Sequence, residues 1–269
     1  MGMEIRPRKK FERLKAMDIS RFKHKYETHL HTSEGSACGR CTGAEMAIAA
    51  KEAGFDGIFV TDHGWGGNTA VDRSLPWREW VSRFALGYEH ARETGDKIGL
   101  KVWFGYESGY DATEFLIYGI TPEWMADHPE LHDATIPEQL QIIHGGGGMV
   151  IQAHPFREED YIPEVRLFPQ YADGIEGINA THTNHLSKSH KSNVWNPQAI
   201  KLAHEYGLPI TAGSDVHSTV MFGGGVIADH PLTGPQDYID LILGDEPYLL
   251  TDGDSIFDRD GNELRNLRP

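Results

Sequence analysis

The sequence predicts an α/β fold built on a parallel sheet, with a metal site where the strands end. Strand-like and helix-like segments alternate through the 269 residues. The strands are nearly continuous apolar runs, the pattern of strands buried on both faces. Five of the segments end in imidazole or carboxylate: Tyr26 to His31, Phe59 to His63, Trp103 to Glu107, Val150 to His154, and Ala212 to His217. In parallel α/β folds, function gathers at the carboxyl ends of the strands. The fold and the ligand pattern therefore point to the same face.

The elements read in order as follows. Residues 25–31 form a strand. Thr42 caps a helix running to Ala53, which Gly54 stops. Residues 57–63 form a buried strand, and a loop rich in Gly and Asn leads to a helix from Trp77 to Thr94. Strands follow at 101–107 and 114–119. A helix from Pro137 to His144 ends at the run Gly145 to Gly148. Strands at 149–154 and 174–179 precede a helix from Asn196 to Tyr206, and the strand 209–214 delivers Asp215. A strand at 225–229, a helix from Pro235 to Leu243 and a strand at 247–251 complete the series. No Pro- or Ser-rich linker and no repeat divides the chain. The expectation is one domain over 1–269, with 1–24 as an N-terminal extension, 25–228 as the motif-bearing core, and 229–269 as a C-terminal helix and strand.

Hydrophobic residues are 39% of the chain, enough for a substantial core, and the formal net charge is −15. That charge argues against binding long nucleic-acid backbone but leaves a small phosphorylated partner open. No apolar run reaches membrane length, and none follows the basic stretch Met1 to Lys10. A cytoplasmic protein without a membrane partner is expected. Cys38 and Cys41 are the only cysteines, which excludes a four-cysteine zinc ribbon. A lone Cys-x-x-Cys reads as two reduced thiols ahead of a helix, with a redox pair or a metal contact as the alternatives.

Neutral imidazole and carboxylate are the ligands of zinc, iron and manganese. Side chains alternate along a strand, so His29 and His31 point the same way and can grip one ion together; Asp215 and His217 repeat the spacing. The other histidines lie on predicted helices or in loops. Among them His182, His185 and His190 form a loop after the strand 174–179, which reads as a wall of the site. Asp62, beside His63, reads as either a partner orienting an imidazole or a structural carboxylate.

The segments THLHTSE (28–34), TDHG (61–64), FGYES (104–108), QAHP (152–155) and GSDVH (213–217) resemble, in order, the motifs of the PHP (polymerase and histidinol phosphatase) family, above all its stand-alone bacterial phosphoesterases. The resemblance implies a distorted (β/α)7 TIM-like barrel with two or three divalent transition-metal ions (Zn, Mn or Fe) at its mouth. It implies that His29, His31 and Asp215 hold a first ion and that Glu107 bridges it to a second, which His154 also holds. His63 and His217 would hold a third, with Glu34 where the family places a His or Asp. One departure stands out. The strand after the bridging acid, Glu114 to Gly119, lacks the family's further His, and water, substrate or Glu114 could fill that place.

Such a centre implies hydrolysis of a small phosphorylated substrate by hydroxide generated at the metals, without a Ser or Cys nucleophile. Glu107, Asp215 and His217 are the expected catalytic groups, with His217 or His182 protonating the leaving oxygen. Arg157, just past His154, is the expected phosphate donor, with His182 and Arg40 as further substrate contacts. Histidinol phosphate and nucleotides or oligonucleotides are both open as substrates. An amidohydrolase would also use His-x-His on a barrel, but usually with a modified lysine where Glu107 stands. A non-catalytic metal-binding module is the third reading.

Overall fold

The structure, a computed structural model, describes residues 18–268. The basic N-terminal stretch and most of the 1–24 extension lie outside the described residues. The chain alternates much as its sequence predicts. β1 (His24–Glu27) leads to α1 (Gly43–Glu52), β2 (Gly57–Val60), α2 (Trp77–Phe84), α3 (Leu86–Ile98), β3 (Lys101–Tyr110) and β4 (Thr113–Tyr118). There follow α4 (Pro122–Ala126), α5 (Ile136–Gly145), β5 (Met149–Gln152), β6 (Gly174–Asn179), α6 (Ala180–Thr183), α7 (Trp195–Tyr206) and β7 (Ile210–Gly213). The chain closes with β8 (Gly224–Ala228), α8 (Pro235–Leu243), β9 (Leu249–Asp252), β10 (Ser255–Asp258) and β11 (Glu263–Asn266).

Local chemistry sets the boundaries. Thr42 and Glu45 form a capping box at the start of α1, and Gly54 leaves the helix in the left-handed region (φ 81). The single helix expected over 77–94 is two helices, α2 and α3, joined at Ala85. The break lets Gly87 pack on Gly43, where a Cβ on Gly43 would lie 1.9 Å from the Gly87 carbonyl oxygen. α1 and α3 thereby meet backbone to backbone over β2.

Among the described residues, eleven strands share one curled, mixed sheet in the order β11-β10-β9-β8-β1-β2-β3-β4-β5-β6-β7. It is not parallel throughout, as the strand pattern suggested. β4 runs antiparallel to both β3 and β5. A two-residue turn can only return the chain antiparallel, and Asp111 and Ala112, both at positive φ, make that turn. β8 pairs antiparallel with β1, and β9, β10 and β11 continue the sheet outward from it. The C-terminal region thus holds three strands where one was expected.

The curl brings β7 back to β1. Val216 N–H bonds to His29 O at 3.3 Å, and His31 N–H to Val216 O at 2.9 Å. Thr28 Oγ1 donates to Ala212 O at 2.6 Å. Beneath this seam an aromatic floor fills the barrel: Tyr238 of α8 packs on Phe59 and Tyr118, and Phe59 on Trp103. The polar mouth therefore rests on a dry core. No helix among the described residues is long and apolar enough to cross a membrane.

Candidate metal centre

β1 stops at Glu27, and the chain runs on extended to His31. Glu27 holds that exit. Its buried Oε1 accepts from the backbone N–H groups of Thr28 (3.0 Å), His29 (2.9 Å) and Ser214 (2.8 Å), tying the two sides of the seam together. Burial pushes its carboxyl up to about 7 against those three donors.

The hydrogen bonds assign the protons on His29 and His31. His29 Nδ1 lies 2.8 Å from Glu176 Oε1, an acceptor only. His31 Nδ1 lies 3.1 Å from Ser36 Oγ. The Ser36 hydroxyl gives its own hydrogen to Asp62 Oδ1 (2.6 Å), so its oxygen is free to accept from His31 and from the His63 backbone N–H (3.0 Å). Both imidazoles thus carry hydrogen on Nδ1 and turn a bare Nε2 inward. Those two Nε2 atoms are 3.1 Å apart. Glu107 oxygens lie 3.3 Å from His29 Nε2 and 3.6 Å from His31 Nε2. Asp215 Oδ1 lies 3.6 and 3.3 Å from the same two atoms. Acceptors that converge without a hydrogen between them repel one another unless a cation sits among them. The donor set fits a metal ion.

The electrostatics agree. Burial opposes charge on either ring. At His29 the carboxylates of Glu176, Asp215 and Glu107 outweigh it and carry the pKa well above the ordinary value. At His31 burial, with His63 and His217 nearby, leaves it well below. A site that draws a proton onto one buried imidazole in this way also draws a cation.

Glu107 is fully buried and straddles two groups of imidazoles. Oε1 faces His154 Nε2 (3.1 Å) and His29, while Oε2 faces His63 Nδ1 (2.8 Å) and His31. Although 2.8 Å apart, Oε2 and His63 Nδ1 form no hydrogen bond in this geometry. Glu114 enters from the start of β4, with Oε1 3.5 Å from His63 Nδ1 and Oε2 3.6 Å from His154 Nε2. The antiparallel return of β4 is what carries this residue to the mouth. Glu114 thus lies where the family's further His was missed. Among the described residues, four triads bring potential ligand atoms together: His29, His31 and Glu107; His29, His154 and Asp215; His63, Glu107 and Glu114; and His31, His63 and His217.

Asp215 and His154 both adopt left-handed backbone (φ 54 and 25), a conformation that non-glycine residues rarely take and that recurs at functional sites. Each is held there. His154 N–H donates to Glu176 Oε2 at 3.1 Å. Asp215 Oδ2 accepts from Asn179 Nδ2 at 3.2 Å and from Arg157 Nη2, leaving Oδ1 to the imidazoles. Burial opposes ionisation of Asp215, but Arg157 and His29 outweigh it and hold the carboxyl well below its ordinary range.

Several expected roles change. Glu34 is not in the cluster. Its carboxylate accepts from Gly43 N–H (3.2 and 3.1 Å) at the start of α1 and meets His90 Nδ1 at 2.8 Å, so the helix N-terminus has taken it. Replacing Glu34 with Ala is expected to cost about 1 kcal/mol in stability and leave metal content unchanged; melting beside elemental analysis checks this, and loss of metal would return Glu34 to the centre. His182 is buried behind Arg157. Its Nδ1 donates to Asn196 Oδ1 (2.7 Å) and its Nε2 accepts from Arg157 Nε (3.3 Å), so neither nitrogen is left for a substrate. Burial and Arg157 hold its pKa well below the ordinary value. Arg157 itself is buried against Asp215. Arg40 is exposed and shares a cavity of about 490 Å³ with Cys38, Lys188, Asp215 and His217. Asp62 acts through Ser36 and the Thr32 N–H (2.6 Å), not directly on an imidazole; burial raises its pKa to about 6.

Sequence reasoning missed Glu176, Glu27, Asn179 and Ser36. A signal existed for the first two, because a lone carboxylate inside an apolar strand such as Gly174-Ile175-Glu176-Gly177-Ile178 must be paired once buried.

Residues 193–236, which include α7, β7, the Asp215–His217 turn and β8, match the PHP_C family, described as PHP-associated. A two-domain protein from Bacteroides vulgatus ATCC 8482, described as containing a predicted PHP-like metal-dependent phosphoesterase, has a similar fold: TM-score 0.59 and 15% identity over 84% of this chain. This chain spans 64% of that protein's length, less than two thirds. PsfC from Pseudomonas syringae PB-5123 is similar at TM-score 0.53 and 15% identity, covering 90% of this chain and 91% of PsfC. No curated protein sequence matches the chain. Five motifs thus converge on one barrel mouth, the segment that carries the last of them matches a PHP-associated family model, and the fold is similar to that of a protein described as PHP-like.

Proposed function

We propose that this chain is a metal-dependent phosphoesterase that hydrolyses a small phosphorylated molecule, using two or three divalent zinc, manganese or iron ions. The observation that carries the reading is the convergence of His29 Nε2, His31 Nε2, Glu107 and Asp215 Oδ1 on one point, with Glu107 reaching on to His63 and His154. When bound, such ions supply Lewis acidity toward a phosphoryl oxygen and lower the pKa of water. The chain's own residues do the rest. Glu107 sets the spacing of the inner positions. Glu176 and Ser36 fix the imidazole tautomers. Arg157 orients Asp215. His217, partly exposed on the cavity side, would hold an outer ion with His63. Arg40 and Lys188 bring positive charge to the cavity, which suits an anionic substrate in a chain of otherwise acidic balance.

The purified chain is expected to carry at least two transition-metal ions and, once loaded, to hydrolyse a generic aryl phosphate. Elemental analysis, followed by a panel of phosphorylated metabolites with manganese, zinc or iron, tests both. Less than one equivalent after reconstitution rules out the metal centre. Full loading without hydrolysis of any phosphoester favours a metal-binding module.

A further inference from the structure

The two cysteines share a four-residue motif but face different surroundings. Cys41 packs against the apolar cluster under α1 and α3, and its carbonyl accepts from Ser33 N–H at 2.8 Å. Cys38 faces the mouth. Its thiol is within hydrogen-bonding reach of both His63 and His217, and it lines the cavity that opens onto Asp215 and His217.

The turn around Cys38 is pinned to both loops that bring those imidazoles. On one side Ala37 N–H bonds to Asn68 O at 2.9 Å, in the loop that follows His63. On the other, Arg40 N–H bonds to His217 O at 2.9 Å. Gly39 makes the fit possible, since a Cβ there would sit 2.2 Å from the Thr32 carbonyl oxygen. The thiol is therefore held in place, not swinging on a free loop.

The imidazoles around it call for a ligand. His31, His63 and His217 gather their nitrogens within ligand distance of one another, and the rings of His63 and His217 each stack 4.4 Å from that of His31. His63 is 8% exposed, and its Nδ1 makes no hydrogen bond, although Glu107 Oε2 stands 2.8 Å away. The carboxylates near these three imidazoles, Glu107 and Asp215, are shared with the inner positions, and Glu34, at the expected position, is engaged at α1.

We propose that Cys38 supplies a thiolate ligand to an ion held by His63 and His217, making the outer position of the centre a mixed imidazole–thiolate site suited to zinc. The proposal rests on the metal-centre reading above. Imidazole and thiolate together select zinc, whereas the oxygen-rich inner positions around Glu107 also accept manganese or iron. Binding breaks the Cys38 S–H bond, forms a sulfur–metal bond and releases the proton to solvent. The centre would then carry two affinities, with zinc preferred outside.

Cobalt(II) separates the alternatives. Adding it to the metal-free full-length chain is expected to give a thiolate-to-cobalt charge-transfer band in the near ultraviolet, beside the visible ligand-field bands. Cys38→Ser should lose the charge-transfer band and bind one ion fewer, while Cys41→Ser keeps both. Ligand-field bands without the charge-transfer band would overturn the role of Cys38 and leave the metal centre standing. A band that survives Cys38→Ser or vanishes with Cys41→Ser overturns it as well. Failure to bind any cobalt would overturn both readings. The wild-type chain gives a check that does not depend on a variant folding: zinc should protect Cys38, but not Cys41, from iodoacetamide. Equal alkylation of Cys38 with and without zinc refutes the proposal.

Discussion

Replacing Glu107 with Gln removes turnover while the barrel stays folded. The substitution keeps the shape of the side chain but exchanges one oxygen for an NH₂ group and removes the charge. Glu107 faces His29 and His154 with one oxygen and His63 and His31 with the other, so either amide orientation puts an NH₂ group, which cannot ligate an ion, where a charged oxygen stood. Loss of a partner that merely supports a ligand costs about ten- to a hundredfold in metal affinity or activity. Removing the shared carboxylate should exceed that. In the metal-free protein the loss is smaller but has the same sign: burial opposes the Glu107 charge, yet His29 and His63 outweigh it and hold the carboxyl well below its ordinary range, so the glutamine variant should melt somewhat lower. The difference between the metal-loaded and metal-free comparisons is the test. Activity near that of the parent, or an undiminished rise in melting temperature on adding metal, would move the bridging role to Glu114.

The second large effect is at Arg157. The sequence suggested a phosphate donor. The structure instead seats the guanidinium on Asp215 Oδ2, with His182 and Thr181 completing its contacts, and buries all of them. Arg157→Ala leaves the Asp215 charge without its cation. Breaking a buried pair by removing one partner costs on the order of 3–5 kcal/mol. The metal-free variant should therefore be strongly destabilised. Metal should recover much of that loss, because an ion beside Oδ1 replaces the missing positive charge. If a guanidinium N–H also reaches the phosphate, catalytic efficiency falls by a further ten- to a hundredfold or so. Unfolding in denaturant with and without a chelator, beside kinetics on a monoester, separates the effects. Equal destabilisation in both states would show that Arg157 does not act through Asp215.

The motif residues were legible because metal ligands demand particular residue types at strand ends, and each strand was apolar enough to mark its own limit. Strand direction was not legible. The run Tyr110-Asp111-Ala112-Thr113 lacks the Asn-Gly or Gly-Gly pair that announces a tight hairpin, so β4 read as one more parallel strand. Its reversal decides the place of Glu114. Glu34 misled for a related reason: spacing along a loop says how far a carboxylate is from a motif, not that a helix N-terminus lies closer. The residues that hold the ligands, Glu176 and Ser36, act across 147 and 5 positions of sequence respectively, and only the first left a trace in the composition of its strand.

The seam between β1 and β7 has a kinetic consequence. The bonds that close it join residues 184 to 187 positions apart, from Thr28 to Ala212 and from Ser214 to Glu27. Contacts of that separation carry the largest loop-closure entropy, so they form late when the chain folds. His29 and His31 stand on one side of the seam and Asp215 and His217 on the other. Until it closes, the inner position lacks Asp215 and the outer one lacks His217. Capture of the ions therefore marks the end of folding, and a chain emptied of metal should open first along this line, exchanging the amide hydrogens of His31 and Val216 before those of β5 and β6.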